Sequence, residues 1–117
     1  MIKYIDMGLE DVLVMVSADV AWADFVAEVS GHGLRGADCM AGMPGNVGAA
    51  VTENYSAGGQ SVGDIVSGVV CIDHKDDKRC RFTAAECAFG SGDSVFRHTA
   101  GRYEPVSVLM RLSRPSA

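Results

Sequence analysis

The chain has 117 residues, of which 48% are hydrophobic and 21% charged, with a net charge of −5; that is enough for one core of ordinary size and at most one domain. Acidic and basic residues are interspersed, which argues against a nucleic-acid partner, because a duplex binder needs a basic face to displace counterions. No run approaches the ~18 apolar residues of a membrane span, and no basic segment followed by an apolar one opens the chain, so no membrane partner is expected and the expected address is cytoplasmic.

Residues 11–16 (DVLVMV) are apolar on both faces and predict a strand covered on two sides. Residues 20–30 predict a helix, because Trp22, Phe25, Val26 and Val29 stand at i, i+3, i+4 and i+7 and make one apolar stripe. Ser17 or Asp19 is placed to cap its start, and Gly31 or Gly33 to end it in a left-handed turn. Residues 37–63 are glycine-rich and weakly periodic, which predicts short helical turns and a backbone that approaches something closely. Residues 67–73 (SGVVCID) and 79–82 (RCRF) predict two strands joined by the polar turn 74–78. Thr83-Ala84-Ala85-Glu86 is a capping box and predicts a further helix start. In residues 106–112, Val106, Val108, Met110 and Leu112 share one face, as in a half-buried strand. Residues 113–117, with Pro115, are expected to be a frayed tail. The order predicts an α+β fold, a small mixed or antiparallel sheet with one main helix, whose core contains Val12, Val14, Trp22, Phe25, Val26, Val69, Val108 and Met110.

The four cysteines, Cys39, Cys71, Cys80 and Cys87, contain no C-x-x-C pair, and no histidine stands at zinc-ligand spacing from them, so no metal is expected. Cys71 and Cys80 flank the hairpin turn symmetrically. They are either a cross-strand disulfide or, as a cytosolic address favours, reduced thiols. His32, His74 and His98 are scattered and read as surface residues.

The chemically informative stretch is Gly42-Met43-Pro44-Gly45-Asn46-Val47-Gly48-Ala49-Ala50. Pro44-Gly45 forces a turn, and Gly48, Ala49 and Ala50 keep side chains out of the way. A short helix starting here would aim N–H groups at whatever lies before it, a natural place for a diphosphate. The stretch is neither G-x-G-x-x-G nor a P-loop, and its residues alone favour a tight structural turn over a binding loop. Together with Glu53-Asn54, Ala57 and Gly59 it resembles a segment of the UDP-N-acetylenolpyruvoylglucosamine reductase family that reads I-P-G, two variable-to-small positions, G, small residues, then Q-N and G-A-Y-G. Ala85-Glu86-Cys87-Ala88-Phe89-Gly90 followed by Asp93-Ser94-Val95-Phe96 is similar to that family's E-C-x-F-G-Y-R-D-S-x-F. The likeness runs collinearly from about Tyr4 to Pro115, and two motifs in the right order and at the right separation make it specific.

The resemblance implies the second FAD-binding subdomain of a PCMH-type (vanillyl-alcohol-oxidase-like) fold, spanning residues 1–117, without the family's upstream FAD subdomain or downstream substrate domain. It implies a cofactor-binding set of Met43, Pro44, Gly45, Asn46, Val47, Gly48, Ala49, Ala50, Tyr55, Ser56 and Ala57, and a substrate-binding pair, Glu53 and Asn54, the latter being also a natural turn residue. The implied reaction takes hydride from NADPH through FAD to the enolpyruvyl group of a UDP-sugar, in peptidoglycan synthesis for cell-wall biogenesis and cell shape. An arginine polarises the substrate carboxylate and a serine, carried outside this region, protonates the carbanion. Gly92 stands where the family has that arginine and Ser91 where it has tyrosine. Glu53 replaces glutamine, Ser56 glycine and Gly58 tyrosine. Asp93 and Ser94 read as turn and cap. No catalytic residue is assigned. The chain is expected to bind FAD weakly if at all and not to catalyse alone, either as part of a reductase or as a catalytically silent, degenerate or designed module acting by binding.

Overall fold

The computed structural model describes residues 2–6, 10–99 and 101–114; Pro115 and the rest of the expected tail lie outside them. Strands β1 (Ile2–Asp6), β2 (Asp11–Ser17), β5 (Val66–Asp73), β6 (Lys78–Thr83) and β7 (Tyr103–Ser113) form one sheet. Its order is β1-β2-β7-β5-β6 and every neighbouring pair is antiparallel. The last strand sits in the centre. The β1–β2 pair and the β5–β6 hairpin are joined in the sheet only through β7, so the core closes through contacts of long sequence separation.

The period of two decides what each strand buries. Val12, Val14 and Val16 of β2, Val69 and Cys71 of β5, and Val108, Met110 and Leu112 of β7 all point to one side and are buried. Helix α1 (Trp22–Gly31) covers that side, and Trp22, Phe25, Val26 and Val29 are all at most 2% exposed. Each such side chain contributes about 1.5–3 kcal/mol by leaving water. All eight core residues expected from sequence are buried. The expected cover on both faces of β2 is absent: Leu13 and Met15 are only half-buried, and Met15, Val70 and Leu109 line a shallow apolar recess of about 260 Å³ on the open side of the sheet.

The capping expectations for α1 need correction at one end. Its N-cap position is held by Ala21, not Ser17 or Asp19, and the N–H of Trp22 donates to the Gly45 carbonyl at 2.9 Å. The other end follows the sequence, with Gly33 at φ +77° and Leu34 N–H returning to the Val29 carbonyl. The Thr83 box also forms, reciprocally at 2.9 and 3.2 Å, and these bonds hold the Glu86 carboxyl below its usual range. It opens a single turn instead of a helix, because Ala88 turns left-handed (φ +51°) to bring the Val95 N–H onto the Cys87 carbonyl at 2.7 Å. None of the described helices is long and apolar enough to cross a membrane.

Candidate functional site

Residues 38–65 run as a 3₁₀ turn (Asp38–Met40), helix α2 (Val47–Glu53), a minimal hairpin of β3 (Ser56–Ala57) and β4 (Gln60–Ser61), and helix α3 (Val62–Ile65). Gly45, at φ +89°, makes the turn into α2. Asn46 caps the helix, its Oδ1 accepting from the Ala49 N–H at 2.8 Å, which is worth about 1 kcal/mol. The N–H groups of Val47 and Gly48 donate to the carbonyls of Val20 and Ala18, both at 2.9 Å. The first three donors of α2 are therefore already satisfied within the chain, and the expectation of free N–H groups for a diphosphate does not hold. Those bonds instead fasten the turn to the start of α1. Gly48 permits the approach, since a Cβ there would stand 3.3 Å from that of Ala18.

Tyr55 braces the same turn from inside. It is 7% exposed, meets Trp22 edge-on with centroids 6.0 Å apart, and donates its hydroxyl to the Pro44 carbonyl. Burial, and then the charge of Glu53, push its phenol above the ordinary value. Val47 and Ala50 are fully buried. Of the residues assigned to a cofactor, Val47, Ala50 and Tyr55 are thus core members behind the loop. Pro44, Gly45, Asn46 and Ser56 are exposed, while Met43, Gly48, Ala49 and Ala57 are half-buried.

Asn54 ends α2 in the left-handed region at φ +47°. Its Oδ1 accepts from the Gly63 N–H at 2.7 Å, and its Nδ2 donates to the Gly90 carbonyl at 2.6 Å. A second tether lies beside it: Ser94, 1% exposed, donates to the Thr52 carbonyl at 2.6 Å and caps helix α4 (Val95–His98) through the Phe96 N–H. Two stretches about forty residues apart are thereby clamped into the walls of one cleft of about 360 Å³. Asn54, Ser56, Ser61, Gly63 and Asp64 line one wall, and Phe89, Gly90, Ser91 and Gly92 the other. The turn and cap reading of Asp93 and Ser94 holds, with Gly90 and Asp93 exchanging backbone bonds across Ser91-Gly92.

Asn54→Ala is expected to destabilise the fold by about 1–3 kcal/mol, because it removes the acceptor of the half-buried Gly63 N–H and one of the two bonds to the Gly90 carbonyl, and places alanine in the left-handed region. Gly63→Ala attacks the same junction from the other side, since its Cβ would meet Phe89 Cβ at 2.8 Å and Asn54 Oδ1 at 3.1 Å. Urea denaturation of both variants is the check; a midpoint shift within error for Asn54→Ala would show that the tether contributes nothing.

Comparisons with known proteins match most of the chain, both clamped stretches lying within a match of this extent. The chain is 35% identical over 104 residues to the UDP-N-acetylenolpyruvoylglucosamine reductase of Pseudomonas syringae pv. tomato, covering 89% of the chain and 31% of that protein. It is 38% identical over 100 residues to that of Xanthomonas axonopodis pv. citri, covering 86% and 29%. The chain is homologous to part of the UDP-N-acetylenolpyruvoylglucosamine reductases. No protein-family model matches it. Part of the crystal structure of the UDP-N-acetylenolpyruvylglucosamine reductase (MurB) from Thermus caldophilus has the same fold, with a TM-score of 0.75 at 24% identity over 86% of the chain and 36% of that protein. The chain thus spans about 30% of the length of the curated reductases it matches.

Of the five positions expected from sequence to depart from the reductase pattern, Ser56, Ser91 and Gly92 line the cleft, and Glu53 and Gly58 do not. Ser91 and Gly92 sit on its wall, and a Cβ added at Gly92, whose φ is +61°, would meet nothing within 4 Å. The neighbouring cation is Arg97, whose guanidinium donates to the Gly92 carbonyl. Gly58 is different: at φ +58°, with Cys39 Cβ 2.9 Å from where its own Cβ would be, it leaves no room for a tyrosine. Glu53 is exposed at the last position of α2.

Proposed function

We propose that residues 1–117 form the second FAD-binding subdomain of a reductase of this kind, with flavin and a UDP-sugar held between the cleft side of this unit and a second flavin-binding unit. The observation that carries the reading is the double tether, Asn54 to Gly90 and Ser94 to Thr52, which folds the two reductase-like motifs onto one cleft. A bound flavin would supply hydride transfer from NADPH to an enolpyruvyl double bond. The residues present fit part of an FAD molecule. The exposed turn Pro44-Gly45-Asn46, with Met43, Ser56 and Ala57 beside it, offers a surface that a ring can approach closely. The diphosphate finds no ready cradle, because the α2 donors are taken by Val20, Ala18 and Asn46. Asn54 would orient substrate only through the hydrogen-bonding capacity its two tethers leave over.

Half of a shared site supplies half the contacts while most of the entropic cost of binding remains. FAD is therefore expected to bind the isolated chain weakly and to be lost on desalting, with NMR shift changes confined to residues 43–46 and 54–57. Flavin retained stoichiometrically through purification would overturn the half-site reading; no shift change at saturating FAD would overturn the FAD reading itself. A catalytically silent binding module is the second reading. The absence of a side chain at Gly92, on the wall of the cleft, favours it.

A further inference from the structure

We infer that Cys71 and Cys80 form a thiol pair that closes to a cross-strand disulfide on reaction with a small-molecule disulfide such as oxidised glutathione. Both are free thiols. The register of the β5–β6 hairpin makes them direct Cα partners. Direct partners in an antiparallel pair have Cα atoms about 4.5–5.5 Å apart, inside the ~4.4–6.8 Å range of disulfides, and their Cβ atoms project from the same face of the sheet. Those Cβ atoms start somewhat wider than the ~3.5–4.5 Å of a closed bridge, so closure needs a small strand movement. The fold allows it on both sides. Strand β6 is an edge strand that pairs in the sheet only with β5, its ring contacts to Tyr103 and Phe96 being made by Phe82, two residues beyond Cys80, and the register of β5 against β7 slips between Val70 and Cys71.

Exposure sets the order of events. Cys71 is fully buried, whereas Cys80 is half-exposed on the edge strand. Cys80 reacts first: it gives up its proton, its sulfur attacks the small disulfide, that S–S bond breaks, and one thiolate leaves and takes a proton. Cys71 then loses its proton and attacks the Cys80 sulfur of the mixed disulfide, expelling the second thiolate, which is protonated in turn. Two protein thiols are oxidised and one small disulfide is reduced to two thiols. Burial pushes the Cys71 thiol up to about 12, with neighbouring Cys80 and Cys87 adding to the shift. Burial, followed by Asp73 and Asp76, raises Cys80 as well. Thiolate is therefore scarce at neutral pH, and closure is slow there and faster in mild alkali. Cys87 is the competing thiol, buried and near Cys71, but no strand pairing sets it opposite. Cys39 lies elsewhere, against Gly58.

The test is independent of any flavin chemistry. The full chain carrying Cys39→Ser is equilibrated with oxidised glutathione in mild alkali, the remaining thiols are blocked, and the product is mapped by mass spectrometry. The expected product has lost two hydrogens, carries its bridge between Cys71 and Cys80, and is restored by dithiothreitol. Cys87→Ser should leave the yield unchanged, and Cys80→Ser should abolish the bridge. Three blockable thiols after equilibration, a stable glutathione adduct on Cys80, or a bridge to Cys87 would each overturn the assignment. Mapping of the Cys39→Ser chain alone decides this if the Cys80 variant does not fold.

Discussion

Trp22→Ala is expected to cost about 3–5 kcal/mol of folding stability, the range for deleting a large aromatic from a core. The site justifies the upper part of that range. Trp22 is fully buried, stacks obliquely on Phe25 at 5.4 Å, receives Tyr55 edge-on, and donates its indole N–H to the Met40 carbonyl at 3.0 Å. Its removal opens a cavity beneath the turn that Tyr55 braces and takes away one of the two hydrogen bonds the Met40 carbonyl accepts, leaving only that from the Met43 N–H. A domain of this size has a total stability of about 5–15 kcal/mol, so the variant should be partly unfolded at room temperature or nearly so. Trp22→Phe keeps most of the ring contact and loses the hydrogen bond, and should cost about half as much. Denaturation followed by circular dichroism is the measurement; a loss under about 1 kcal/mol for Trp22→Ala would mean that the helix does not anchor the core through this residue.

The parts of the fold that were legible in the sequence are those whose side chains report their own surroundings. The stripe from Trp22 to Val29 could only be a helix packed on one side, and the alternation through Val108, Met110 and Leu112 could only be a strand with one face in the core. The polar turn between Cys71 and Cys80 fixed a hairpin whose register proved symmetrical about it. Strand β1 left no such mark, because an edge strand is defined by its pairing with β2 and not by a buried face of its own. The apolar second face of β2 misled in the other direction, since Leu13 and Met15 are apolar without being covered.

The candidate site was legible only as two motifs, not as a place. Nothing in residues 53–57 or 90–94 announces that Asn54 will reach the Gly90 carbonyl or that Ser94 will reach Thr52. Both bonds run to backbone oxygens, which carry no sequence identity. The same blindness explains the α2 terminus. A Pro-Gly-Asn turn before a small-residue helix suggests free donors, and the carbonyls of Ala18 and Val20 that consume them could not be read from residue types. A buried tyrosine two residues after a helix was the one available hint that part of the segment faces inward, and Tyr55 is that residue.

No NADPH-dependent reduction of UDP-N-acetylglucosamine enolpyruvate is expected from the 117-residue chain, even with FAD saturating. The cleft that would receive the substrate carboxylate has Gly92 on its wall, and the nearest guanidinium, that of Arg97, is engaged by the Gly92 carbonyl. Losing one electrostatic stabiliser of a developing charge typically costs about 2.7–4 kcal/mol, or 10²–10³ in rate. Gly92→Arg is structurally feasible: nothing lies within 4 Å of the new Cβ, and the left-handed backbone at φ +61° costs about 1–2 kcal/mol with a side chain. It should nonetheless restore no turnover to the isolated chain, because residues that act as a unit do not recover one at a time and, on the proposed function, the other half of the flavin site would still be missing. The discriminating experiment places residues 1–117 into the framework of a full-length relative such as the Pseudomonas syringae enzyme. That chimaera should turn over at least about 10²-fold more slowly than its parent, by the same electrostatic reasoning, and Gly92→Arg in it should recover a large part of the loss. The readout is NADPH oxidation coupled to product detection. Substantial turnover by the unmodified 117 residues would sink the half-site reading and would make one of the cleft hydroxyls, Ser56, Ser61 or Ser91, the first place to look for the proton donor. Full activity of the unrepaired chimaera would show instead that turnover does not need a side chain at Gly92.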